Sequence, residues 1–341
     1  MKYIVIHHND RDGRVSAAIG VEYWIKKLGY PIDDIVFVET DYSKTISQII
    51  REVSYDDPAK TMILIVDVSI TSFEDFDSLD FKNSDTIGGP PKVWIDHHES
   101  SFNKLKEYKK TNKNWQCHGI RCNGISAAAL AYIYFNLGEV NIKNDFIDRF
   151  LLDYGDTGKS ILPNEIDALF DNFNVPEYIR YVSKYDTFQS TDDGIFQFNY
   201  GDILRDVDYY CKLIQTGNIH KEYVDECIER GKVIKEYVDS KSASNIKNNS
   251  FEVFTSFAGK ELKGLAVNDS TFSSLIFGDA INKYDFVMVF QYSGSRYRYS
   301  LYTTKSNVYC NKIAESFGGG GHQKAAGFGS SELIFNKQNR F

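Results

Sequence analysis

The sequence predicts an α/β protein of two domains: a parallel-sheet N-terminal domain and a smaller α/β C-terminal domain, joined by a helical connector. Three observations predict it. Short β-branched runs alternate with helical spacing through the first hundred residues, a charged helical stretch follows from about 207 to 245, and strand and helix patterns resume beyond it. With 341 residues, 42% hydrophobic and 15% aromatic, the chain has apolar material for two cores.

The first strands are read at Tyr3–Ile6, Ile35–Val38, Met62–Val66 and Lys92–Ile95. They are continuous rather than alternating, as strands are when helices cover both faces of a parallel sheet. Between the first two, Val15–Leu28 places Val15, Ala18, Ile19, Val21, Trp24 and Ile25 at helical spacing. Ser126–Leu137 reads as a helix with Asn123 or Gly124 at its start. Residues 141–176 read as an insertion with its own helical pieces, and Tyr178–Val182 as a further strand-like run ending in Lys184-Tyr185-Asp186. The connector takes its helical pattern from Tyr223, Cys227, Ile228, Val233, Ile234 and Val238. After it, strands are expected at Phe251–Phe257, Gly264–Val267, Phe286–Tyr292 and Tyr297–Thr303, with helices near Ser273–Asn282 and Tyr309–Phe317. The expected domains are therefore 1–206, a connector at 207–245, and 246–341.

A net charge of −8 argues against a protein that coats long duplex nucleic acid, because that mode needs many Lys and Arg contacts to phosphate. Lys104, Lys106, Lys109, Lys110 and Lys113 form a basic run, read as a solvated face. Five scattered cysteines give no disulfide framework, and Cys117 and Cys122 lack a second pair to complete a zinc site. With no apolar run of transmembrane length and no signal pattern before Tyr3, the expectation is a cytoplasmic protein without a membrane partner.

The polar residues at the strand ends carry the chemistry, because ligands of open parallel sheets bind outside the carboxyl ends of the strands. His7 and His8 follow the first run, Asp67 the third, and Asp96-His97-His98 the fourth. An Asp after a strand is most often a turn former or cap, but here three strands deliver Asp and His to one rim. Of the seven histidines, four lie in these clusters and a fifth is His322. Carboxylates with imidazoles suit borderline-hard ions such as Mn²⁺. In His8-Asn9-Asp10-Arg11-Asp12-Gly13, residues two apart leaving a strand can face one cavity, and Gly13 permits the turn into the next helix. Two divalent cations, about 3.5 to 4 Å apart, could be held this way and activate water for in-line attack on phosphorus. Near the end, Gly318-Gly319-Gly320-Gly321-His322 offers backbone N–H groups to an anion.

In this order the motifs resemble the DHH phosphoesterases that carry a DHH-associated C-terminal domain. The His8 to Gly13 stretch looks like the first motif, Asp67 the second, Asp96-His97-His98 the third, and Gly318 to Gly327 the C-terminal signature. The resemblance implies that His8 and Asp10 bind one Mn²⁺, Asp12 and His97 the other, and that Asp67 bridges them. It further implies that Asp96 orients the cluster and that His98 contacts the scissile phosphate. For the fourth-motif carboxylate, Asp186 in Tyr185-Asp186-Thr187-Phe188 is preferred over Asp156 in Gly155-Asp156-Thr157-Gly158, on the expectation that it ends a strand. Gly319, Gly320, Gly321, His322, Arg298 and Tyr302 are the expected substrate contacts. One departure is that many members carry Ser-Leu-Arg where this chain has Ser300-Leu301-Tyr302. Arg298, Lys305 and Lys324 are candidates for the missing phosphate contact, and Tyr302 for stacking on a base.

The expected function is hydrolysis of short oligonucleotides, or linear or cyclic dinucleotides, to nucleoside monophosphates. Inorganic pyrophosphatase and nucleoside bisphosphate phosphatase are the alternatives, and a nucleotide sensor without turnover is the alternative of another class. A homodimer is compatible with the sequence.

Overall fold

The structure is a computed structural model. It describes residues 2–25, 35–41, 44–53, 60–70, 72–77, 82–83, 86–87, 92–115, 117–136, 160–187, 192–217, 219–257, 259–271, 273–336 and 338–341. The chain divides into two compact units, Met1–Lys232 and Val233–Phe341.

In the first unit, strands β1 (Lys2–His8), β2 (Ile35–Thr40), β3 (Thr61–Val66) and β6 (Lys92–Ile95) form one sheet in the order β2-β1-β3-β6, all parallel. A two-residue pair, β4 (Lys82–Asn83) and β5 (Thr86–Ile87), stands apart from it. Successive side chains point to opposite faces, and both faces are buried. Tyr3, Val5, Leu64, Val66, Val93 and Ile95 pack with helices α1 (Arg11–Ile19) and α5 (Ala127–Asn136). Ile4, Ile6, Ile63, Ile65 and Trp94 pack with α2 (Ile46–Glu52), α3 (Phe73–Asp77) and α4 (Glu99–Thr111). This is why the runs are uninterrupted by polar residues. Of the basic run, Lys104, Lys106, Lys110 and Lys113 are exposed and Lys109 lies over the Trp115 ring, so it forms a solvated face.

Residues 117–122 lie along the free edge of β6, where Trp94 N–H donates to His118 O at 2.9 Å and Asp96 N–H to Ile120 O at 3.3 Å. Gly119 makes this approach possible: its φ is 119°, and a Cβ there would stand 2.0 Å from Trp94 O. Arg121, 4% exposed, stacks on Trp94 and donates to Trp94 O and Cys117 O, which pins the segment.

Helices α6 (Pro163–Asn172), α7 (Glu177–Asp186), α8 (Asp193–Gly201) and α9 (Val207–Gln215) follow. The expected strand at Tyr178–Val182 is thus corrected to part of α7. Tyr178, Ile179, Val182 and Ser183 are its buried residues, a spacing that fits one side of a helix. The start of α5 also differs from expectation: Ser126, not Asn123 or Gly124, accepts from Leu130 N through its carbonyl and from Ala129 N through its hydroxyl.

Helix α10 (Lys221–Asn249) is 29 residues long, and the division between units falls within it. Its Gly231 meets Gly201 of α8 at a close crossing: a Cβ on Gly231 would lie 1.6 Å from Gln197 O, and one on Gly201 1.7 Å from Cys227 O. An alanine at 231 would gain about 1 kcal/mol in helix propensity, but the overlap with backbone costs more. Gly231→Ala is expected to lose about 2–3 kcal/mol net, seen as a melting temperature about 4–10 °C lower. A variant that melts at or above the wild-type temperature would refute the crossing.

The second unit holds a six-stranded mixed sheet in the order β11-β12-β10-β9-β8-β7, from β7 (Ser250–Phe257), β8 (Lys260–Asn268), β9 (Phe286–Tyr292), β10 (Tyr297–Tyr302), β11 (Gly320–Gly321) and β12 (Ala325–Ser330). Among the described strands of this sheet, only the β8–β9 pairing is parallel. One face packs on α11 (Cys310–Glu315), the other on the 3₁₀ turns of Ser274–Asn282, where the sequence reads a helix.

Candidate metal centre

Four places in the first unit converge on the carboxyl rim of its sheet. At the end of β1, Asp10 caps α1 by accepting from Gly13 N at 2.9 Å. Gly13 is required, because a Cβ there would lie 2.4 Å from His8 O. His8 Nδ1 lies 2.8 Å from Asp10 Oδ2 and 3.7 Å from Asp67 Oδ2. Asp12, 2% exposed, reaches across to the start of α5, where its oxygens accept from Ala127 N at 2.8 Å and Ala128 N at 2.9 Å. A helix N-terminus thereby holds the carboxylate in place.

Asp67 follows β3 with φ 56°, a left-handed conformation that few residues other than glycine adopt. Its N–H donates to Ile95 O at 2.9 Å, so the pairing with β6 holds the turn. Asp96, fully buried, accepts from the backbone N–H of His97 at 2.9 Å and lies 2.7 Å from His98 Nδ1, which orients the His98 imidazole. His97 Nε2 lies 3.1 Å from Asp67 Oδ1, 3.4 Å from Asp186 Oδ2 and 3.8 Å from Asp12 Oδ2.

These side chains form two triads, His8–Asp10–Asp67 and Asp12–His97–Asp186, each with one donor atom per residue and all within 4.8 Å of one another. Asp67 stands between them, with Oδ2 toward His8 and Oδ1 toward His97. A third group, Asp67–Asp96–His98, shares Asp67 with the first triad. Asp186 is brought to the site as expected from its position in the sequence, but it comes from the end of α7 and not from a strand. Its rival Asp156 lies outside the described residues.

The electrostatics follow from crowding five carboxylates. Burial, then the charges of Asp10, Asp12, Asp186 and Asp96, push Asp67 well above the usual carboxylate range. Burial, then Asp12 and Asp10, do the same to Asp186. Asp12 is pushed up to about 6 by burial and by Asp10. Burial would raise Asp10 too, but the neighbouring His8 outweighs it and holds Asp10 below its ordinary value. Burial would lower His98, but the Asp96 charge and hydrogen bond raise it. Buried Asp186 Oδ2 accepts no hydrogen bond among the described residues. Repelling carboxylates, imidazole nitrogens and an unsatisfied oxygen together fit divalent cations.

Sequence reasoning missed Arg11, whose side chain forms a buried ion pair with Asp202 at 2.9 Å. A lone Arg between two motif carboxylates was the available signal.

In the second unit, Arg298, Ser300 and Tyr302 alternate with buried Tyr299 and Leu301, so they share the sheet face away from the aromatic core. Lys305 is paired with Asp285 at 2.9 Å, which weakens it as a replacement phosphate contact. The glycine run is in part a strand, Gly320 and Gly321 pairing with Gly327 and Ala326. Gly319 is required by packing, since a Cβ there would lie 2.1 Å from Gly327 O. Gly320 has open space where its Cβ would be. His322 N–H donates to Ala325 O at 2.8 Å and closes the turn into β12.

No family model matches the chain, and no curated protein matches it. Among solved structures it is similar to a pGpG-specific phosphodiesterase from Vibrio cholerae, with 13% identity over 97% of this chain and 94% of that one and a TM-score of 0.42. It is similar to the DHH domain of a member of a family of ribosomal proteins, with 15% identity, 96% and 82% coverage, and a TM-score of 0.47. It is also similar to RecJ in complex with Mn²⁺ from Thermus thermophilus, with 14% identity, 96% and 49% coverage, and a TM-score of 0.46. No described helix is long and apolar enough to cross a membrane.

Proposed function

We propose that the chain is a DHH-type phosphoesterase that uses two divalent cations, Mn²⁺ foremost, to hydrolyse phosphodiesters of short oligonucleotides or of linear or cyclic dinucleotides to nucleoside monophosphates. The observation that carries the reading is the pair of triads on one sheet rim, with Asp67 of the first also 3.1 Å from His97 of the second. His8, Asp10 and Asp67 would hold one cation, and Asp12, His97 and Asp186 the other, with Asp67 common to both. Bound there, the cations would supply an activated water and neutralise charge on the phosphate.

The chain's own residues do the rest. Asp96 holds His98 through Nδ1, which favours the charged imidazole and leaves Nε2 as the nitrogen that donates to a phosphate oxygen. Asp12, fixed by the first turn of α5, cannot swing out to solvent when a substrate arrives. The second unit contains 13 of the 39 Lys and Arg but 9 of the 47 Asp and Glu, so it is cationic where the first is anionic. That asymmetry supports it as the substrate-binding half, with Arg298, Tyr302, Gly319, Gly320, Gly321 and His322 as its contacts. Five free thiols support a reducing, cytoplasmic setting.

The test is turnover with Mn²⁺ on labelled di- to decanucleotides, cyclic dinucleotides, nucleoside bisphosphates and pyrophosphate. The expected result is mononucleotide product, with rates falling as the chain lengthens. Exclusive turnover of pyrophosphate or of bisphosphates would replace the reading with a phosphatase. Tight nucleotide binding without any product would replace it with a sensor.

A further inference from the structure

Arg11 lies between Asp10 and Asp12, and its side chain is 12% exposed. Its guanidinium reaches the C-terminal end of α8, where it forms an ion pair with Asp202, Nε to Oδ2 2.9 Å, and its terminal nitrogens donate hydrogen bonds to Asn199 and to Asp202 O. Asp202, 1% exposed, also accepts from Tyr178 OH at 2.6 Å and from Tyr223 OH at 3.1 Å. Tyr178 is on α7, the helix that ends in Asp186. One buried carboxylate therefore joins the turn bearing Asp10 and Asp12 to the helix bearing Asp186.

Stability alone is a poor reason for this arrangement. Removing two charges from water costs several kcal/mol per ion, and apolar replacements of buried pairs are often neutral or stabilising. Position offers a better reason. His8, Asp10, Asp67, His97 and Asp96 are delivered by strand ends that the sheet holds in register, whereas Asp186 comes from a helix outside the sheet. Something must fix its distance from Asp12 and His97.

We propose that Asp202 is a positioning residue, which through Arg11 and Tyr178 sets the geometry between the first motif and Asp186. The proposal rests on the two-cation reading of the same site. It acts on metal affinity, since outer partners of ligands typically contribute 10- to 100-fold.

The experiment is calorimetric titration of the full chain with Mn²⁺, comparing wild type, Tyr178→Phe and the double variant Arg11→Met/Asp202→Leu, with circular dichroism and melting as fold controls. The double variant removes both charges together, so no unpaired charge is left buried, although Asp202→Leu takes the acceptor from the Tyr178 and Tyr223 hydroxyls and lowers stability on that account alone. The expected result is a double variant that stays folded, melting up to about 10 °C lower, yet binds Mn²⁺ about 10- to 100-fold more weakly at a temperature well below its melt. Tyr178→Phe, which deletes one hydroxyl, is expected to weaken binding about three- to tenfold. Wild-type affinity in both variants would overturn the proposal. Should the double variant fail to fold, Tyr178→Phe decides alone, weaker binding supporting the proposal and unchanged binding overturning it. A wild-type chain that binds no Mn²⁺ at all would overturn the metal centre itself, and the proposal with it.

Discussion

Asp67→Asn is expected to abolish metal-dependent turnover while making the metal-free protein more stable. Asp67 is buried and faces the charges of Asp10, Asp12, Asp186 and Asp96, so removing its carboxylate relieves repulsion with carboxylates of both triads. Asparagine keeps the shape, and it tolerates the φ of 56° that the turn imposes. The stability gain should be about 1–3 kcal/mol, in the range of a buried charge left better compensated. Turnover should fall about a thousandfold or more, because losing the shared oxygen donor removes several kcal/mol of charge stabilisation and each 1.36 kcal/mol is tenfold. Asp67→Ala makes the control. It deletes the same charge but carries a Cβ without the local hydrogen bonding that eases a left-handed residue, at a cost of about 1–2 kcal/mol. The alanine variant should therefore melt below the asparagine variant. An Asp67→Asn protein that keeps Mn²⁺-dependent activity would remove Asp67 from the centre.

The pH dependence of stability should reverse sign when Mn²⁺ is added. Asp12, Asp67 and Asp186 all bind protons more tightly folded than unfolded, so without metal the folded state is favoured at low pH. Stability should fall as pH rises from about 4 through about 6 for Asp12, worth about 3 kcal/mol, and further for the other two. His98 acts in the same direction, because its raised value contributes stability that is lost as pH climbs past it. Asp10 opposes them only below the ordinary carboxylate range, where its depressed value is titrated. With Mn²⁺ present, the cations compete with protons for the same oxygens, and high pH favours the cation. Each ion at a hundred times its Kd adds about 2.7 kcal/mol, so two should raise the melting temperature by roughly 10–20 °C at pH 8. Melts at pH 5 and pH 8, with Mn²⁺ or with a chelator, check this. A metal-free protein that gains stability between those pH values, and ignores Mn²⁺, would contradict the assignment of these carboxylates.

Much of the first unit is legible in the sequence because burial of both sheet faces leaves a simple trace: Ile4, Ile6, Ile63 and Ile65 face one side, Tyr3, Val5, Leu64 and Val66 the other. The position of Asp67, Asp96 and His97 at strand ends follows from the same trace. Asp186 is reached for the wrong reason. Tyr178, Ile179 and Val182 fit a short strand and a helix equally well, and only packing against the rest of the unit decides between them. The Arg11–Asp202 pair joins residues far apart in sequence, and no local pattern announces it. Gly201 and Gly231 have the same character: each reads as a weak point in a helix until the partner backbone is seen against it. The edge formed by 117–122 escapes such reading because its backbone pairing with β6 leaves no run of β-branched residues.

The two triads also differ in when they can exist. His8, Asp10 and Asp67 lie within the first fifth or so of the chain, so a ribosome that has released β1 to β3 and the turn after them has already exported every member of that triad. The second waits much longer: Asp12 is seated by Ala127 and Ala128, and Asp186 emerges later still. During synthesis the chain thus passes through an interval in which the side chains of the first triad are out, the β6 carbonyl that holds the Asp67 turn follows, and the second triad has no walls. A cation arriving in that interval meets a site of one histidine and two carboxylates, and the nascent chain acquires its full charge compensation only after α7 has folded.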